Sequence, residues 1–126
     1  MKEGLKNNSK TTGDLGEKLA IQHLLKKGYQ IIEKNWRFKK YEIDVIAKNE
    51  ETMVFLEVKT RKNDIFGEPQ IFVSKQKQGF LIKAAQQYLE QNNISLESRF
   101  DIIAIVKSNN QYLINHLEGA FYPLVK

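Results

Sequence analysis

The chain has 126 residues and no cysteine, and its 20 Lys and Arg against 15 Asp and Glu give a net charge of +5. The length suits one domain with an ordinary core, and a content of 41% hydrophobic and 28% charged residues is typical of folded globular proteins. The lack of cysteine excludes disulfides, thiolate zinc ligands and cysteine nucleophiles. Because no apolar run is long enough for a membrane span or a secretory signal, we expect a cytoplasmic protein.

The net positive charge favours an anionic partner, and nucleic acid is the commonest one. A small lysine excess that only aids solubility would give the same net charge. Charge alone does not decide between these two explanations, so the pattern of residues along the chain must do so.

A polar, Lys-rich stretch at residues 1–12 predicts a mobile tail, which leaves one domain over residues 13–126. A helix is predicted first in that domain, over about residues 13–27. Asp14 and Glu17 have the spacing of a capping box at its start. The helix presents one apolar face, made of Ala20, Ile21, Leu24 and Leu25.

Three strand-like segments follow, at residues 29–38, 41–47 and 52–60, and all are rich in β-branched or aromatic residues. The four residues KNEE between the last two segments have the length of a hairpin connection. The third segment is apolar on both faces, so we expect it to be a central strand. Its apolar residues are Met53 and Phe55 on one face and Val54, Leu56 and Val58 on the other.

After a loop over about residues 61–73, a second helix is predicted over 75–91, with Ser74 as its N-cap and apolar residues at helical spacing. Two more strands, over residues 99–106 and 111–117, complete the chain. The order of helix, three strands, helix and two strands predicts an α/β fold in which helices pack on one mixed sheet.

Two carboxylates are expected to meet where the second and third strands pair. Asp44 lies within EIDVIA and Glu57 within FLEVKT, and a hairpin would bring them side by side. Neighbouring carboxylates repel, and sharing a divalent cation relieves the repulsion. Oxygen ligands without cysteine or clustered histidine favour Mg²⁺ or Mn²⁺ over zinc. Such a site supports metal-assisted phosphodiester hydrolysis, in which Lys59, on the same face as Glu57, orients a water or neutralises a phosphate.

Simpler explanations exist for these charged residues. Glu57 and Lys59 would also occur together if the strand only emerged into solvent at this point. Glu17 shares the inward face of the first helix and could reach the metal, or it could serve only in the capping box. His23 and His116 are single residues far apart in sequence, which favours surface or satisfied core histidines over metal ligands.

Basic residues suggest a phosphate-binding surface. Arg37, Lys39 and Lys40 interleave with Trp36 and Phe38, a composition that suits phosphate contact and base stacking unless the two aromatic rings face the core. Further basic residues lie after the third strand and at the start of the second helix, namely Arg61, Lys62, Lys75 and Lys77. An ordinary solvated face would have the same composition.

Asp44 followed by Glu57-Val58-Lys59, with Glu17 on a preceding helix, resembles the PD-(D/E)xK nuclease superfamily. More closely, the chain resembles the YraN family of small bacterial endonuclease-like proteins over residues 13–121. The matching segments, in order, are GDLGEKLA, KKGYQIIEKNWR, EIDVIA, VFLEVKTR, FGEP, KQGFLIKAAQQYL and RFDIIAI. Archaeal Holliday-junction resolvases look similar in the order of their acidic residues and Glu-x-Lys.

The resemblance implies a restriction-endonuclease-like αβββαβ core, with a mixed central sheet flanked by helices. It implies that Mg²⁺ or Mn²⁺ is held by Asp44, Glu57 and the backbone carbonyl of Val58. It also implies that Lys59 assists the attacking water and that Glu17 is an auxiliary acidic residue.

One departure from the family's pattern concerns the substrate. The family usually has glycine immediately before its Glu-Ile-Asp, and this chain has Tyr41. A bulky residue at that position would narrow the approach of a substrate to the backbone.

The first functional hypothesis is therefore a metal-dependent endonuclease that acts on DNA, either branched or damaged. A resolvase-like reaction cuts two strands and needs two active sites, which favours a homodimer. The alternatives are a nucleic-acid-binding module without turnover and an interaction subunit of a repair or recombination complex.

Overall fold

A computed structural model describes residues 8–62 and 73–123. This part of the chain forms two helices and five strands in the predicted order. In chain order the elements are helix α1 (Asn8–Lys26), strands β1 (Gln30–Phe38), β2 (Tyr41–Asn49) and β3 (Thr52–Lys62), helix α2 (Lys75–Gln91), and strands β4 (Glu97–Ser108) and β5 (Gln111–Phe121). Neither described helix has the length and apolar composition needed to cross a membrane.

All five strands form one mixed sheet in the order β1-β2-β3-β4-β5. Strands that follow one another directly pair antiparallel, namely β1 with β2, β2 with β3, and β4 with β5. β3 and β4 pair in parallel, because the chain crosses back through α2 between them. The predicted α/β architecture, a mixed sheet with flanking helices, is confirmed.

β3 is the middle strand, and both of its faces are buried, as its two-sided apolar sequence predicted. Met53 and Phe55 lie in the apolar layer under α2. Val54 and Leu56 lie in the layer under α1. The helix residues that close these layers are Ala20 and Leu24 of α1 and Leu81, Ala84, Ala85 and Tyr88 of α2.

Helix α2 has the bounds that its apolar spacing predicted, residues 75–91. Ser74 caps it, because the Ser74 Oγ accepts a hydrogen bond from the Lys77 N–H at 3.1 Å. Asn92 follows the last turn, and its side-chain amide donates to the Tyr88 carbonyl at 2.9 Å. Local sequence therefore fixes where α2 begins, and this start sets the position of Lys77 relative to β3.

Helix α1 begins earlier than predicted, at Asn8 instead of about residue 13. Residues 8–12 of the predicted tail are therefore helical, and residues 1–7 lie outside the described part of the chain. Asp14 lies inside the helix, so the prediction that Asp14 and Glu17 form a capping box at its start is wrong. Glu17 must have another environment.

Several strands are longer than the sequence pattern predicted. β3 continues to Lys62, into the predicted loop over 61–73, and residues 63–72 of that loop lie outside the described residues. β5 continues from the predicted end at residue 117 to Phe121. Backbone pairing with a neighbouring strand sustains these extensions even where the side chains are polar.

Candidate active site

Asp44 and Glu57 lie where β2 and β3 stop pairing. The last paired residues of this hairpin are Val45 and Leu56, and Asp44 and Glu57 are the next residues on each strand. Asp44 Oδ2 accepts a hydrogen bond from the backbone N–H of Val58 at 2.8 Å. The Asp44 carboxylate therefore takes the place of a backbone carbonyl of β2 as the acceptor for the Val58 N–H. The two acidic residues flank the point where β2 and β3 separate.

A change of face in β1 and β2 accounts for the position of Asp44. Ile43 and Ile46 both pack in the layer under α2, although a regular strand would put them on opposite faces. The pairing of β1 with β2 omits the pair Asn35–Asp44 that lies between these positions. Asn35 has a φ of 51°, outside the extended region. This local irregularity directs the Asp44 carboxylate toward β3.

Burial and a neighbouring charge both disfavour the ionised form of Asp44. Burial and then the Glu57 carboxylate raise the pKa of Asp44 to about 7, against the hydrogen bond from Val58, which lowers it. Asp44 is half-buried, whereas Glu57 is buried with 9% of its surface exposed, and the Glu57 Oε1 has no hydrogen-bond partner among the described residues. The site thus contains two carboxylates without enough hydrogen bonding or positive charge to satisfy both.

Among the described residues, α2 supplies the positive charge that pairs with Glu57. Lys77 Nζ lies 3.2 Å from Glu57 Oε2. Lys59, two residues after Glu57 on the same face of β3, is half-buried and makes no ion pair with any described residue. The sequence pattern assigned Lys77 to phosphate binding and gave no sign of this ion pair, which depends on how α2 packs on the sheet.

Glu17 approaches the acidic pair from α1. Gly16, beside it, packs so closely on Thr60 of β3 that a Cβ atom at Gly16 would overlap the Thr60 hydroxyl. This contact holds the first half of α1 against the end of β3. Burial raises the pKa of Glu17, and nearby carboxylates, including Glu57, raise it further. Glu17 therefore lies close enough to the acidic pair for their charges to interact.

The acidic residues suit a hard divalent cation, although within residues 8–62 and 73–123 no group of three or more histidine or acidic side chains is arranged to hold one. Mg²⁺ usually takes one or two carboxylates and completes its shell with water and substrate oxygens. Asp44 and Glu57 supply two carboxylates, one with an unsatisfied buried oxygen. The Val58 carbonyl points to the same neighbouring strand as the Val58 N–H, and so toward Asp44. These groups meet the protein's usual share of a magnesium shell.

Comparison with known proteins relates this site to a family. The family described as Uncharacterised protein family UPF0102 matches residues 16–105. This chain belongs to UPF0102. A UPF0102 protein of Flavobacterium psychrophilum is 49% identical over 110 residues, which are 87% of this chain and 92% of the relative. UPF0102 proteins of Flavobacterium johnsoniae and Clostridioides difficile are 45% and 44% identical, over 87% and 90% of this chain and 93% and 99% of the relatives.

The match confirms the resemblance to the YraN family, which is the family described as UPF0102. The matched region includes all the predicted acidic residues and the lysine that follows them, namely Glu17, Asp44, Glu57 and Lys59. Since the family is described as uncharacterised, its name assigns no activity to these residues.

In this UPF0102 protein, predicted phosphate-binding residues gather at one end of the sheet. The β1–β2 turn lies at the same end as the last residues of β3, because β2 and β3 are antiparallel. The start of α2 lies there too, since its first turn contacts Glu57. Arg37 pairs with Glu42 at 3.8 Å. The side chain of Lys62 lies outside the described part of the structure. The predicted residues at this end are Lys39, Lys40, Arg61, Lys75 and Lys77.

Aromatic residues near this end pack inward. Trp36 lies edge-on to Tyr88, with ring centroids 5.1 Å apart, and stacks on Phe38 at 6.5 Å. Tyr41 stacks on Phe80 of α2 at 4.8 Å. The rings of Trp36 and Phe38 thus face the core, which was the alternative to base stacking, and Tyr41 joins the β1–β2 turn to α2.

The UPF0102 structure also contains a buried charged cluster that the sequence pattern did not predict. Asp101 of β4 is fully buried, and Arg99 donates hydrogen bonds to both of its oxygens at 2.9 Å. His116 Nε2 and the Gly119 N–H, both on β5, lie 2.8 and 2.9 Å from the same carboxylate. Burial raises the pKa of Asp101, but the hydrogen bonds from His116 and Arg99 outweigh it and hold that pKa below its usual range.

His116 connects this cluster to α1. A carboxylate only accepts hydrogen bonds, so the Nε2 of His116 carries the hydrogen shared with Asp101. Its Nδ1 lies 3.3 Å from His23 Nε2 and 3.2 Å from Lys27 Nζ. The His116 side chain is buried and has partners on both nitrogens, so of the two predicted environments, surface or satisfied core, His116 has the second. The signal in the sequence was one aspartate inside the apolar run RFDIIAIV, because a charge on a buried strand requires partners.

Proposed function

We propose that this UPF0102 protein is a divalent-metal-dependent endonuclease of the PD-(D/E)xK superfamily that hydrolyses phosphodiester bonds in DNA. One observation carries the proposal, namely the buried Glu57 carboxylate, one oxygen of which has no partner among the described residues, beside Asp44 where β2 and β3 separate. A buried carboxylate and a half-buried one that repel each other are costly to the fold. A cation bound between the two carboxylates would offset their repulsion.

Mg²⁺ or Mn²⁺ would be held by Asp44, Glu57 and the Val58 carbonyl, and when bound such a cation activates water and neutralises charge on a phosphate. The hydrogen bond from the Val58 N–H fixes the Asp44 carboxylate before any ligand arrives. This arrangement reduces the reorganisation that binding requires, because one ligand is already oriented.

Lys59 is the residue we assign to the attacking water and to the charge that develops at phosphorus. It follows Glu57 by two residues, so both side chains emerge on one face of β3. An ammonium group at that position stabilises negative charge more strongly in the transition state than in the ground state, which is the requirement for catalysis. Glu17 would act as an auxiliary acidic residue whose charge adds to the cation affinity of the site.

DNA is the proposed substrate because basic residues surround the same end of the sheet. The net charge of +5 and the lysines at the β1–β2 turn and the start of α2 suit a phosphate backbone. Branched or damaged duplexes are the first forms to test, and cutting both strands of such a substrate would require a homodimer.

A cleavage panel tests the proposal. Single-stranded, duplex, flapped and four-way DNA would be incubated with Mg²⁺, Mn²⁺ or EDTA and with wild type, Glu57→Gln and Glu90→Gln. Glu90 is exposed near the end of α2, so its substitution makes the same chemical change away from the site. We expect metal-dependent cleavage that falls by about 10²–10³ in Glu57→Gln and is unchanged in Glu90→Gln. Equal cleavage by wild type and Glu57→Gln would contradict the assignment.

A second candidate function is a DNA-binding module without turnover. It is favoured by the absence of a three-residue metal group within the described part of the chain and by the lysine that already neutralises Glu57. Salt-dependent DNA binding without cleavage of any substrate in the panel would support this second function over the first.

A further inference from the structure

Lys77 reaches the acidic pair from a fixed position on α2. Its backbone N–H is held by the Ser74 Oγ in the N-terminal cap at 3.1 Å. Its side chain crosses to β3, where Nζ lies 3.2 Å from Glu57 Oε2. The Lys77 side chain is 47% exposed and that of Glu57 is 11% exposed, so the two partners differ in how easily they can move.

This difference in exposure decides which partner can leave. Glu57 is confined by its burial and cannot reach other donors without unpacking the sheet. Lys77 can turn its ammonium into water because its end of the ion pair is already solvated. A cation that takes its place keeps the buried Glu57 carboxylate compensated, so the exchange leaves no unpaired buried charge behind. A cation that binds Glu57 would compete with Lys77 for the same carboxylate.

The displaced ammonium of Lys77 would then have a new role. Lys77 lies at the end of the sheet where the other basic residues gather, so its released ammonium would face the region assigned to the phosphate backbone. In the metal-free protein the same ammonium is held at 3.2 Å from a carboxylate and is less available to a phosphate.

We propose that Lys77 is the resident counter-ion of the metal-free site, that a divalent cation displaces it from Glu57, and that the displaced ammonium then contacts a phosphate of the DNA. This inference rests on the proposed function. It makes metal binding and DNA binding favour each other through one lysine, since a coupling between two ligands is reciprocal.

The first test measures metal affinity without any substrate. Free Mn²⁺ would be quantified by electron paramagnetic resonance during titration of wild type, Lys77→Met and Lys83→Met. Lys83 is exposed on the same helix, so its substitution removes the same charge elsewhere on α2. We expect Lys77→Met to bind Mn²⁺ about threefold more tightly or better, the scale of one partly exposed ion pair, and Lys83→Met to match wild type. Unchanged or weaker binding by Lys77→Met would overturn the inference.

The second test separates displacement from a general effect of positive charge. The affinity for a duplex would be measured against salt, with EDTA or with constant Mg²⁺, in a Lys59→Met background that is expected to bind metal and DNA but to cleave slowly. With Mg²⁺, addition of Lys77→Met should flatten the slope of log affinity on log salt by about 0.9, the value for one phosphate contact. With EDTA the same substitution should leave the slope unchanged, and Lys83→Met should leave it unchanged in both conditions. An equal loss of slope with and without Mg²⁺ would mean that Lys77 contacts phosphate in both conditions, which would also overturn the inference.

The two proposals can fail separately. If Asp44→Asn and Glu57→Gln both bind Mn²⁺ as tightly as wild type does, the proposed metal site is wrong, and so is the proposed role of Lys77. If both variants weaken Mn²⁺ binding while Lys77→Met behaves as Lys83→Met does, the metal site stands and only the displacement of Lys77 is wrong. The Lys77 backbone N–H remains in every variant, so the cap of α2 is preserved.

Discussion

Gly16 of α1 lies against Thr60 of β3 with no room for a side chain. A Cβ atom at Gly16 would overlap the Thr60 Oγ1 and lie 3.2 Å from the Thr60 Cβ. Glycine inside a helix costs about 1 kcal/mol relative to alanine, so its presence here requires a reason. The reason is close approach, because α1 must reach the end of β3 for Glu17 to lie near the acidic pair.

Gly16→Ala is therefore expected to destabilise the protein in spite of its better helix propensity. Overpacking usually costs about 1–3 kcal/mol, which exceeds the propensity gain of about 1 kcal/mol. The combination with Thr60→Ala should recover most of the loss, because the overlapping hydroxyl is then gone. Urea denaturation of the single and double variants measures both effects.

Gly79 provides the matched control for this prediction. It also lies within a helix, but a Cβ atom there would meet nothing within 4 Å. Gly79→Ala should stabilise the protein by about 1 kcal/mol through propensity alone. If Gly16→Ala stabilised the protein to the same extent as Gly79→Ala, the close contact of α1 with β3 would be refuted.

The pKa of Asp44 predicts an unusual pH dependence in the metal-free protein. The carboxyl has a pKa of about 7 in the folded state against an ordinary value of 3.8, so the folded state binds more protons between these values. Stability is then lost as pH rises from about 4 to about 7, by at most about 1.4 kcal/mol for each pH unit. The Asp44→Asn protein should lack this loss. His23 has the opposite effect, because its lowered pKa destabilises the protein at acid pH. This effect is common to both proteins, so it cancels when the stability of Asp44→Asn is subtracted from that of wild type at each pH.

Metal should relieve the same repulsion. At pH 8, Mg²⁺ or Mn²⁺ at millimolar concentration should raise the melting temperature of wild type by linkage, because only the folded state presents both carboxylates together. Much of this rise should vanish in Asp44→Asn and Glu57→Gln and persist in Glu90→Gln. A rise of equal size in all four proteins would mean that the cation binds elsewhere.

The sequence predicted the elements whose signals are local. The spacing of Leu81, Ala84 and Tyr88 and the cap at Ser74 defined α2 to the residue, because propensity, periodicity and capping agree there. The start of α1 was missed because residues 8–12 are polar and have no apolar periodicity. The acidic pair was predicted from hairpin register, which local turn length sets.

The parts of the site that were missed depend on contacts between distant elements. The Lys77–Glu57 ion pair joins residues that only the packing of α2 on β3 brings together. Two partners of Asp101, His116 and Gly119, likewise come from β5, and Arg99, its partner on β4, also donates to Tyr29 just before β1. A sequence pattern shows that a buried charge needs partners, but it does not show which strand will supply them.

Asp101 is expected to be essential for folding rather than for chemistry. Asp101→Asn removes the charge that Arg99 and His116 compensate, and breaking a buried pair on one side usually costs about 3–5 kcal/mol. Because the pKa of Asp101 is lowered, its stabilisation is present above pH 3.8 and is lost as pH falls through the folded-state pKa below that value. Glu118→Gln, at an exposed carboxylate of the same cluster, should change stability little. A melting temperature for Asp101→Asn close to that of wild type would contradict the structural role.

Arg61 is expected to contribute to DNA affinity without reading sequence. It lies at the end of β3 beside the proposed site and is exposed. Arg61→Ala should weaken binding to all duplexes alike and reduce the salt slope by about 0.9, which is the effect of one lost phosphate contact. Lys48, at the opposite end of β2, is the control, and Lys48→Ala should leave both quantities unchanged. Equal effects of the two substitutions would indicate that net charge, and not a defined surface, governs binding.

Lys59 provides the test that separates catalysis from folding and from binding. Because Lys59 makes no ion pair with a described residue, Lys59→Met should fold with a melting temperature near that of wild type and bind Mn²⁺ and DNA within a few-fold. Its single-turnover cleavage rate should nevertheless fall by about 10²–10³, the effect of losing one group that stabilises the transition state. Lys59→Arg should restore only part of the rate, because a planar guanidinium cannot take the position of a compact ammonium.

The competing role for Lys59 is structural compensation of Glu57, and it predicts a different pattern. Removal of such a partner would leave a buried carboxylate less well paired, so Lys59→Met would lose stability in proportion to its loss of activity. The ion pair at 3.2 Å assigns that compensation to Lys77 instead, and Lys77→Met should therefore show the larger change in melting temperature of the two. Thermal melts and single-turnover rates on the same preparations measure both, and a rate defect in Lys59→Met that merely follows its unfolded fraction would remove Lys59 from the catalytic mechanism.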